Sequence, residues 1–525
     1  MKYDLIIKGG NIIDGSGSEP YVADVAIKDG KIARIAENIS AEGEIIDARG
    51  LTITPGFIDS HSHSDSTILS YPDQLEKIEQ GITTSIGGQC GSSVAPLPCD
   101  FNEKDDVDIG TYGKKSIVYK SMGSFLDVAK NVPIGSNTAS FVGHRALRLA
   151  AVGPGSEKPT EEQLEKMKEL LREGMEHGAM GVSYGLIYSP SCYAKTEELI
   201  ALARVAKECG GIVSAHIRNE GDSVEEAVAE FIEILEKSGA RGVLSHHKSS
   251  GHKNWGKVKN TIPMMLAARA RGVDIYCDVY PYVASSTSLS ATFIPKAMRA
   301  CNSAELVKKL ADESFCAEIK AARVAKGAPT DLSYVLVTVA KNNERFQGMY
   351  LSEIADELGI DHLDAALKII RESGNATSAC YFTMCEEDVE TVIAYENAMI
   401  CTDSGVAAGK TVFHPRLRAS FPRAIGKYVR ERGVVTLPEM IRKMTSLPAY
   451  VYGLKTKGVI KEGYDADICI FNYERFIDRA SFTEPTLKCQ GLEYVLVGGN
   501  VVVRDAVHNG KRCGRVYLRK EAIAD

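Results

Sequence analysis

Eight short apolar segments, interspersed with amphipathic helical segments, run through the middle of the 525-residue chain. Helical segments such as TEEQLEKMKELLREGMEHG, EELIALARVAKECG, SVEEAVAEFIEILEKSG and IPMMLAARARG carry an apolar stripe at helical spacing. Eight parallel strands with intervening helices close into a barrel, whose chemistry lies at the C-terminal ends of the strands. The pattern therefore predicts an α/β protein with a (β/α)8 TIM barrel over residues 55–454. The apolar segments are GFIDSH, GITTSIGG, TASFVGH, AMGVSYG, IVSAHIR, VLSHHK, VDIYCDVY and AMICTDS.

The two ends of the chain show a different pattern, with period-two alternation and glycine turns. In MKYDLIIKGGNIIDGSG we interpret the Gly-Gly pair as a turn between two strands, and LEYVLVGGNVVVRDAV repeats the pattern near the other end. We expect residues 1–54 and 455–525 to form one small β-sandwich domain. A long interval separates DVYPY from CTDSG, between the seventh and eighth strands. Residues 288–345 of that interval are predicted to be an insertion that acts as a lid.

Composition is that of a soluble globular protein, with 44% hydrophobic and 25% charged residues. The net charge of −7 gives no reason to expect a nucleic-acid or anionic-membrane partner. The N-terminal segment lacks the apolar core of a signal peptide, and no later run is long enough to span a bilayer. The 13 cysteines have no framework spacing, so we expect reduced thiols and a cytoplasmic location. The oligomeric state stays open.

Polar residues of zinc-ligand types follow five of the eight predicted strands. A His/Cys/Asp set gathered where a barrel converges its strand ends is suited to zinc. Each residue alone has an ordinary explanation: a histidine can be structural, Cys90 can be a small core residue and Asp403 can cap a helix. The agreement of five strand ends favours a metal site. The residues are His61 and His63, Cys90, His216, His246 with His247, and Asp403.

Period two orients the histidines of the first and sixth strands. His61 and His63 point to the same face, about 6–7 Å apart along the strand. In VLSHHK, an inward His246 brings Lys248 into the same cavity and directs His247 toward the helices. The opposite phase would bury Lys248 among the helices, which is costly. His246 is therefore the predicted ligand.

Two polar residues near these strands have structural interpretations. Arg218 is expected to pair with Glu220, and His144 is expected to organise the mouth of the barrel.

A catalytic zinc activates water and polarises a carbonyl, while a nearby carboxylate takes the proton and passes it to a leaving amine. Asp403 is the candidate for that carboxylate, and the predicted chemistry is metal-assisted hydrolysis of an amide.

At these residues the chain resembles the amidohydrolase superfamily and, within it, the N-acyl-D-amino-acid deacylases (D-aminoacylases). The likeness covers essentially the whole chain and rests on motifs in the family's order. They are PGFIDSHSHSD, GQCG, YGLIYSP, AHIRNE, SHHK, DVYPYVASST, CTDSG, HPR and GVIKEGYDADICIF. The resemblance implies a barrel with a β-sandwich made from both chain ends.

The resemblance also implies a metal arrangement. Cys90, His216 and His246 would hold one tightly bound zinc. His61 and His63 would form a possible second, weaker site, with Cys90 between the two. Hydantoinases and dihydroorotases typically bridge two metals with a carboxylated lysine on the fourth strand, and GAMGVSYGLIYSP contains no lysine.

The implied substrate is a small molecule, an N-acyl-D-amino acid. By resemblance Asp403 is the general acid/base, Tyr188 binds at the scissile carbonyl, and Lys248, Tyr280 and Ser286 bind the α-carboxylate. A cation and two hydroxyls suit a carboxylate on physical grounds as well.

Two alternative functions fit the sequence less well. A cyclic amidase of the hydantoinase or dihydroorotase type is disfavoured by Cys90 and by the missing lysine. A non-catalytic, metal-free scaffold relative would be expected to have lost ligands, and here the set is complete.

The substrate side chain is predicted from SSTSLSATFIPKAMR. Family members that prefer acidic D-amino acids resemble one another in placing an arginine shortly after the Ser-Thr, and here none occurs before Arg299. Leu289, Ala291, Phe293 and Ile294 favour a neutral or apolar D side chain, with Lys296 or Arg299 as cations that could fold back.

Overall fold

The computed structural model describes residues 2–97, 111–112, 115–116, 119–407 and 412–519. The strands are β1 (Lys2–Ile12), β2 (Tyr21–Lys28), β3 (Lys31–Ala36), β4 (Glu42–Asp47), β5 (Thr52–Pro55), β6 (Phe57–Asp59), β7 (Ile82–Gly87), β8 (Thr111–Tyr112), β9 (Lys115–Ser116), β10 (Asn137–Ser140), β11 (Val142–Gly143), β12 (Gly181–Gly185), β13 (Ile212–His216), β14 (Arg241–Leu244), β15 (Ile275–Val279), β16 (Ser285–Thr287), β17 (Val335–Ala340), β18 (Thr377–Tyr381), β19 (Ala398–Ile400), β20 (Ile468–Phe471), β21 (Leu492–Val497), β22 (Asn500–Arg504) and β23 (Val507–His508).

The α-helices are α1 (Leu75–Ile78), α2 (Met122–Ala129), α3 (His144–Ala151), α4 (Glu161–Glu176), α5 (Thr196–Glu208), α6 (Val224–Ser238), α7 (Val258–Ala270), α8 (Leu289–Phe293), α9 (Ser303–Lys309), α10 (Glu313–Ala325), α11 (Leu351–Leu358), α12 (His362–Glu372), α13 (Glu386–Ala394), α14 (Arg416–Arg423), α15 (Leu437–Met444) and α16 (Ser446–Tyr452). A π-helical segment, Ala424–Glu431, continues α14.

A parallel barrel forms the centre of the molecule, and every one of the eight predicted apolar segments contains a strand of it. The order is β6, β7, β10 with β11, β12, β13, β14, β15 and β19. The third position is split, because β10 pairs with β7 whereas β11 pairs with β12. The barrel closes where Ser62 pairs with Ser404, next to the Asp403 N–H, which donates to the His61 carbonyl over 2.9 Å. The first and last strand ends are thereby held side by side.

Both chain ends contribute to one nine-stranded sheet beside the barrel. Its order is β23-β22-β21-β20-β5-β1-β2-β3, with β4 also pairing with β1. The sheet unites the two ends where Pro55 of β5 lies opposite Ile468 of β20. The Gly9–Gly10 pair does not form the predicted turn. It lies inside β1, where the pairing with β2 shifts register at a bulge. A Cβ at Gly10 would come within 2.3 Å of the Ile53 side chain, so the position requires glycine.

An inserted unit lies between β15 and β19. It contains α8–α12 and the small sheet β16-β18-β17, and it has its own apolar core around Phe293, Val335 and Ile369. The unit continues beyond residue 345, since β18 is the strand that pairs with both β16 and β17.

The four helical segments singled out in the sequence form α4 to α7. α6 ends at Gly239, whose φ of +68° is the left-handed conformation that glycine tolerates best. α7 begins at Val258 rather than near Ile262, so that Pro263 lies inside it. Among the described residues, no helix combines the length and the apolar character needed to cross a bilayer.

Candidate active site

A cavity of about 850 Å³ opens at the C-terminal ends of the barrel strands. Nine of the ten predicted site residues line it, and His61, the tenth, is fully buried beside Cys90. The barrel therefore brings together side chains that are as much as 342 positions apart in the chain, from His61 to Asp403. The nine lining residues are His63, Cys90, Tyr188, His216, His246, Lys248, Tyr280, Ser286 and Asp403.

The thiol of Cys90 lies at the centre of three imidazoles. Its Sγ is 3.3 Å from His61 Nε2, 3.3 Å from His246 Nε2 and 3.7 Å from His216 Nδ1. The last two rings also approach each other, with 3.0 Å between His216 Nδ1 and His246 Nε2. Four donor atoms from four strand ends thus converge on one small volume.

Asp403 and His63 complete the same cluster. The Asp403 Oδ1 atom is 3.2 Å from His63 Nε2 and 3.5 Å from His61 Nε2. The ring centroids of His61 and His63 are 5.3 Å apart, so the two histidines share a face as their spacing predicted. Arg416 Nη1 lies 2.8 Å from Asp403 Oδ2 and holds the carboxylate from the other side.

Three residues of the cluster have left-handed backbone conformations. The φ angles are +52° at Cys90, +36° at His246 and +45° at Asp403. Residues other than glycine, asparagine, aspartate and histidine rarely adopt such angles, so the strain falls mainly on Cys90, and backbone strain concentrates at functional sites. The strands end before these residues, and the turn of the backbone aims each side chain into the cavity.

The end of the fourth barrel strand has no room for a side chain. A Cβ at Gly185 would lie 1.9 Å from the Cys90 carbonyl oxygen. The Cys90 loop therefore occupies the space into which a residue at Gly185 would project. This packing holds the loop that carries Cys90 against the end of the fourth strand.

Charge is balanced inside the cluster. Burial alone would raise the pKa of the Cys90 thiol, but the rings of His61 and His246 outweigh it and hold the pKa well below its usual range. Burial would likewise raise the pKa of Asp403, and Arg416 together with His246 keeps that pKa well below the ordinary value. Both pKa shifts favour the deprotonated form, which is the form that a metal cation requires of its ligands.

Glu220 was missed as a site residue. Arg218 does not pair with it as predicted: Arg218 Nε donates to Glu230 over 2.8 Å, because α6 brings Glu230 alongside. Glu220 instead faces the cavity, 2.9 Å from His246 Nδ1 and 3.7 Å from His216 Nε2. The carboxylate thus lies against the ring nitrogens that point away from Cys90. Its position four residues after His216 was the available signal.

Asp278 was also missed. It lies in β15 and is fully buried, with Oδ1 accepting from the His246 backbone N–H over 2.5 Å and Oδ2 lying 3.6 Å from His61 Nδ1. A carboxylate in the middle of an apolar strand was the signal in the sequence. Together Asp278 and Glu220 give carboxylate neighbours to three imidazoles, an arrangement that fixes the orientation of ligand histidines.

The predicted substrate-binding residues surround this cluster. Tyr188 O–H and the Thr287 hydroxyl are 3.0 Å apart, and the Tyr188 ring packs on His216 at 5.3 Å. Lys248 Nζ donates to Glu220 over 2.5 Å and lies 5.4 Å from the centre of the Tyr280 ring. Burial raises the pKa of both tyrosines well above the usual value, so their hydroxyls stay protonated and can donate.

Ser286 belongs to the inserted unit rather than to the barrel. It lies in β16, and its hydroxyl is 3.4 Å from that of Ser378 in β18. Thr287, the partner of Tyr188, lies in the same strand. The insertion therefore supplies part of the cavity wall.

His247 and His144, the other two histidines considered in the sequence, lie outside the cluster. His247 is 2.7 Å from the Thr261 hydroxyl of α7, so it faces the helices as expected. His246 and Lys248 share the cavity, with 2.8 Å between His246 Nδ1 and Lys248 Nζ, although this segment is a turn and not the extended strand used to predict it. His144 is buried against Glu198 and Ser191, at 2.9 and 3.0 Å.

Comparison with known proteins places the whole chain in one group. The sequence profile of the amidohydrolase family matches residues 52–502. An N-acyl-D-glutamate deacylase of Alcaligenes xylosoxydans xylosoxydans is 35% identical over 524 residues, covering 100% of this chain and 98% of the relative. A D-aminoacylase of the same organism is 34% identical over 521 residues, covering 99% and 98%. The chain is also similar to the crystal structure of N-acyl-D-glutamate deacylase from Bordetella bronchiseptica, with a TM-score of 0.85 and 34% sequence identity. The match covers 99% of this chain and 100% of that one. That structure is complexed with zinc and a phosphonate inhibitor that mimics the tetrahedral intermediate of the reaction.

Proposed function

The chain belongs to the amidohydrolase family, and from the geometry of its site we propose that it is a zinc-dependent deacylase of N-acyl-D-amino acids. It would cleave the amide bond and release a carboxylate and a free D-amino acid. The observation that carries the proposal is the convergence of Cys90 with three imidazoles beside Lys248 and Tyr280, in one cavity. The full-length relatives named for D-amino-acid deacylation support it, and so does the similar structure with bound zinc.

The donor atoms fit a zinc ion. Zinc takes nitrogen at about 2.0–2.1 Å and sulfur at about 2.3 Å, which separates tetrahedral ligands by about 3.3–3.6 Å. The Cys90 Sγ distances of 3.3, 3.7 and 3.3 Å to the imidazole nitrogens are close to those separations. One donor atom from each of His61, Cys90, His246 and Asp403 lies within 4.8 Å of the others.

We assign Cys90, His216 and His246 to one tightly held zinc. His61 and His63, with Cys90 shared, form the possible second and weaker site. Zinc held by Cys90, His216 and His246 would supply Lewis-acid activation of water and of the scissile carbonyl. The thiolate of Cys90 offers the soft anionic ligand that zinc prefers.

Asp403 is the proposed general acid/base. Its carboxylate is anionic, lies against His63 and faces the cavity, so it can accept a proton from the attacking water. The same proton is then transferred to the leaving nitrogen, which departs as the amine. The Tyr188 hydroxyl is placed to donate to the oxygen of the scissile carbonyl, where negative charge develops.

Lys248, Tyr280 and Ser286 are proposed to bind the α-carboxylate. The ammonium of Lys248 has three donors, and Glu220 and His246 Nδ1 lie in front of two of them. One donor remains for the substrate, together with the two hydroxyls. A cation and two hydroxyl donors match the charge and the acceptor capacity of a carboxylate.

We also propose a preference for a neutral D side chain, although most of the apolar residues from which it was predicted do not face the cavity. Leu289, Phe293 and Ile294 pack in the core of the inserted unit, whereas Ala291 lines the cavity. The wall formed by residues 288–291 carries no charge. Arg299, however, does reach the cavity. An N-acetyl-D-Met to N-acetyl-D-Glu comparison of kcat/KM checks this preference, and a clear advantage for the glutamate substrate would refute it.

A domain division and a location are proposed with the function. We assign residues 1–54 and 455–525 to a β-sandwich domain, 55–454 to the catalytic barrel and 288–345 to a lid. Two hydrogen bonds support the last assignment, because they join the loop after the fourth barrel strand to residues 288–345: the Tyr193 hydroxyl donates to the Lys296 carbonyl over 2.6 Å, and Arg299 Nη2 donates to the Ile187 carbonyl over 3.3 Å. The twelve cysteines within the described ranges are free thiols, which is compatible with a cytoplasmic location.

The test is a hydrolysis screen with paired D and L N-acyl amino acids, run on zinc-loaded and chelator-treated protein. We expect turnover of D substrates only, loss of turnover on chelation and recovery with zinc. Hydrolysis of cyclic ureides with no hydrolysis of any N-acyl-D-amino acid would contradict the proposal.

A further inference from the structure

Two arginines lie in the cavity wall and have no role in the chemistry described so far. Arg145, in α3, donates from Nε to the Ser189 carbonyl over 3.0 Å. Arg299 donates from Nη2 to the Ile187 carbonyl over 3.3 Å. Both guanidinium groups therefore lie against the short segment that carries Tyr188, and both line the same cavity as the zinc ligands.

Neither guanidinium is neutralised by the described part of the chain. No carboxylate among those residues lies within ion-pair distance of Arg145 or Arg299, although arginines elsewhere in the cavity, such as Arg416, have one. Arg299 also donates from Nε to the Ile294 carbonyl over 2.9 Å, but carbonyls do not balance a charge. Burial lowers the pKa of both groups. Partly buried cations without an anion are costly unless a ligand supplies one.

We propose that Arg145 and Arg299 form a subsite for a second carboxylate of the substrate, in addition to its α-carboxylate. This inference rests on the proposed function and names the class of substrate more closely. A guanidinium presents a fork of N–H donors that matches a carboxylate in shape and charge. Nη groups of Arg145 have no partner within the described ranges and are available for such a ligand.

The layout of the barrel favours the acyl group as the carrier of this carboxylate. Lys248 and Tyr280 follow the sixth and seventh strands, whereas Arg145 and the Tyr188 segment follow the third and fourth. Arg299 comes from the insertion after the seventh strand but lies against the Tyr188 segment through its hydrogen bond to Ile187. The acyl group and the amino-acid part of an amide leave the scissile carbonyl in opposite directions. With the α-carboxylate at Lys248, the acyl chain runs toward the arginines. A dicarboxylic acyl group such as succinyl places its free carboxylate there.

Matched acid and amide substrates test the inference on the unmodified enzyme. N-succinyl-D-Met is compared with N-succinamoyl-D-Met, which has the same shape without the charge. N-acetyl-D-Glu is compared with N-acetyl-D-Gln to examine a carboxylate on the side chain. We expect kcat/KM for the succinyl substrate to exceed that for its amide about tenfold or more, the effect of hydrogen bonds to a charged group. Equal values within both pairs would overturn the subsite.

Arginine variants locate the effect. Arg145→Gln and Arg299→Gln should each reduce the acid-to-amide ratio about tenfold. Arg345→Gln is the matched control, because Arg345 is in the same inserted unit but is 60% exposed and pairs with Glu357. Its ratio should equal that of the unmodified enzyme. A ratio that survives both cavity substitutions would remove the arginines from the inference.

The outcomes separate this inference from the proposed function. A preference for the acid confined to the glutamate pair would support the subsite but assign it to the D side chain, against the neutral preference proposed above. Hydrolysis of N-acetyl-D-Met without any preference for an acid leaves the deacylase proposal standing and refutes the subsite. Failure to hydrolyse every N-acyl-D-amino acid refutes the proposed function itself.

Discussion

At the scale of single residues, the environment of Cys90 combines close imidazoles with a strained backbone. Its thiolate faces three imidazoles within 3.7 Å, on a backbone held at a φ of +52°. The cost of that conformation is offset if a cation binds the sulfur and the rings together. Asp403 has the complementary arrangement, with a buried carboxylate held between His63 and Arg416.

Cys90→Ala should lose zinc and activity together. Removing a direct ligand should weaken binding by more than the roughly 10–100-fold that loss of an outer partner costs. Zinc content per folded chain and kcat measure the two effects. Cys469→Ala is the control, because Cys469 is also buried but lies in β20 of the end sheet, so that variant should keep its zinc. Full activity in the Cys90 variant would refute the bridging role.

Asp403→Asn should keep zinc and lose turnover by about 10²- to 10⁴-fold, because it removes the proton acceptor and leaves the Cys90 ligand set in place. Metal analysis and kcat on the same preparation give both values. Turnover close to that of the unmodified enzyme would assign the base to another residue.

At the scale of elements, the end of the fourth barrel strand packs against the loop that carries Cys90. Gly185, at the end of β12, leaves the space that the Cys90 carbonyl fills. The same residue lies opposite His216 in the β12–β13 pairing. Gly185 is therefore in contact with the backbone of one proposed ligand, Cys90, and paired with that of another, His216.

Gly185→Ala should displace Cys90 and reduce zinc per folded chain, since the new Cβ would lie 1.9 Å from the Cys90 carbonyl oxygen. Gly181→Ala is the control at the other end of β12, where a Cβ would meet the Ile212 carbonyl at the same 1.9 Å. It should lower the free energy of unfolding while the folded fraction keeps its zinc. Equal zinc in both variants would show that Cys90 does not depend on Gly185.

Helix α15 packs on the eighth strand through a buried lysine, and this gives a pH dependence. Lys443 Nζ donates to the Tyr395 carbonyl, and burial lowers its pKa to about 8. In the unfolded chain the group titrates near 10.4. Between these values the unfolded state binds more protons, so the free energy of unfolding contributed by Lys443 rises with pH and is lost as pH falls toward 8.

Lys443→Met should flatten that rise. Urea unfolding from about pH 8 to about pH 10, with a reductant to protect the thiols, compares the two chains at each pH. The difference in free energy of unfolding between them should change steadily across the interval. A difference that is independent of pH would mean that Lys443 titrates normally in the folded state.

At the scale of the whole molecule, most of the architecture could be predicted from the sequence, because strand and helix periodicities are local signals. The eight barrel strands and the polar residues at their ends follow from such patterns. Glu220 has a sequence signal, its position four residues after His216, but the partners of Glu220 and Arg416 are set by how elements pack and do not follow from local patterns. The prediction of a turn at Gly9–Gly10 was wrong, because glycine is favoured in bulges as well as in turns and the sequence does not distinguish the two. Leu289 was expected to line the substrate pocket but packs in the core of the inserted unit, which exists only once the insertion folds.

The pairing of both chain ends in one sheet has a consequence for synthesis. The Thr54 hydroxyl donates to the Cys469 carbonyl, 415 positions later in the chain. At a translation rate of about 5–20 residues per second, the ribosome needs about 20–80 s to supply that partner. During this delay β5 presents an unpaired edge, the kind of surface that recruits other strands. The nascent chain therefore depends on β20 to protect β5, and a premature stop before β20 would leave that edge open.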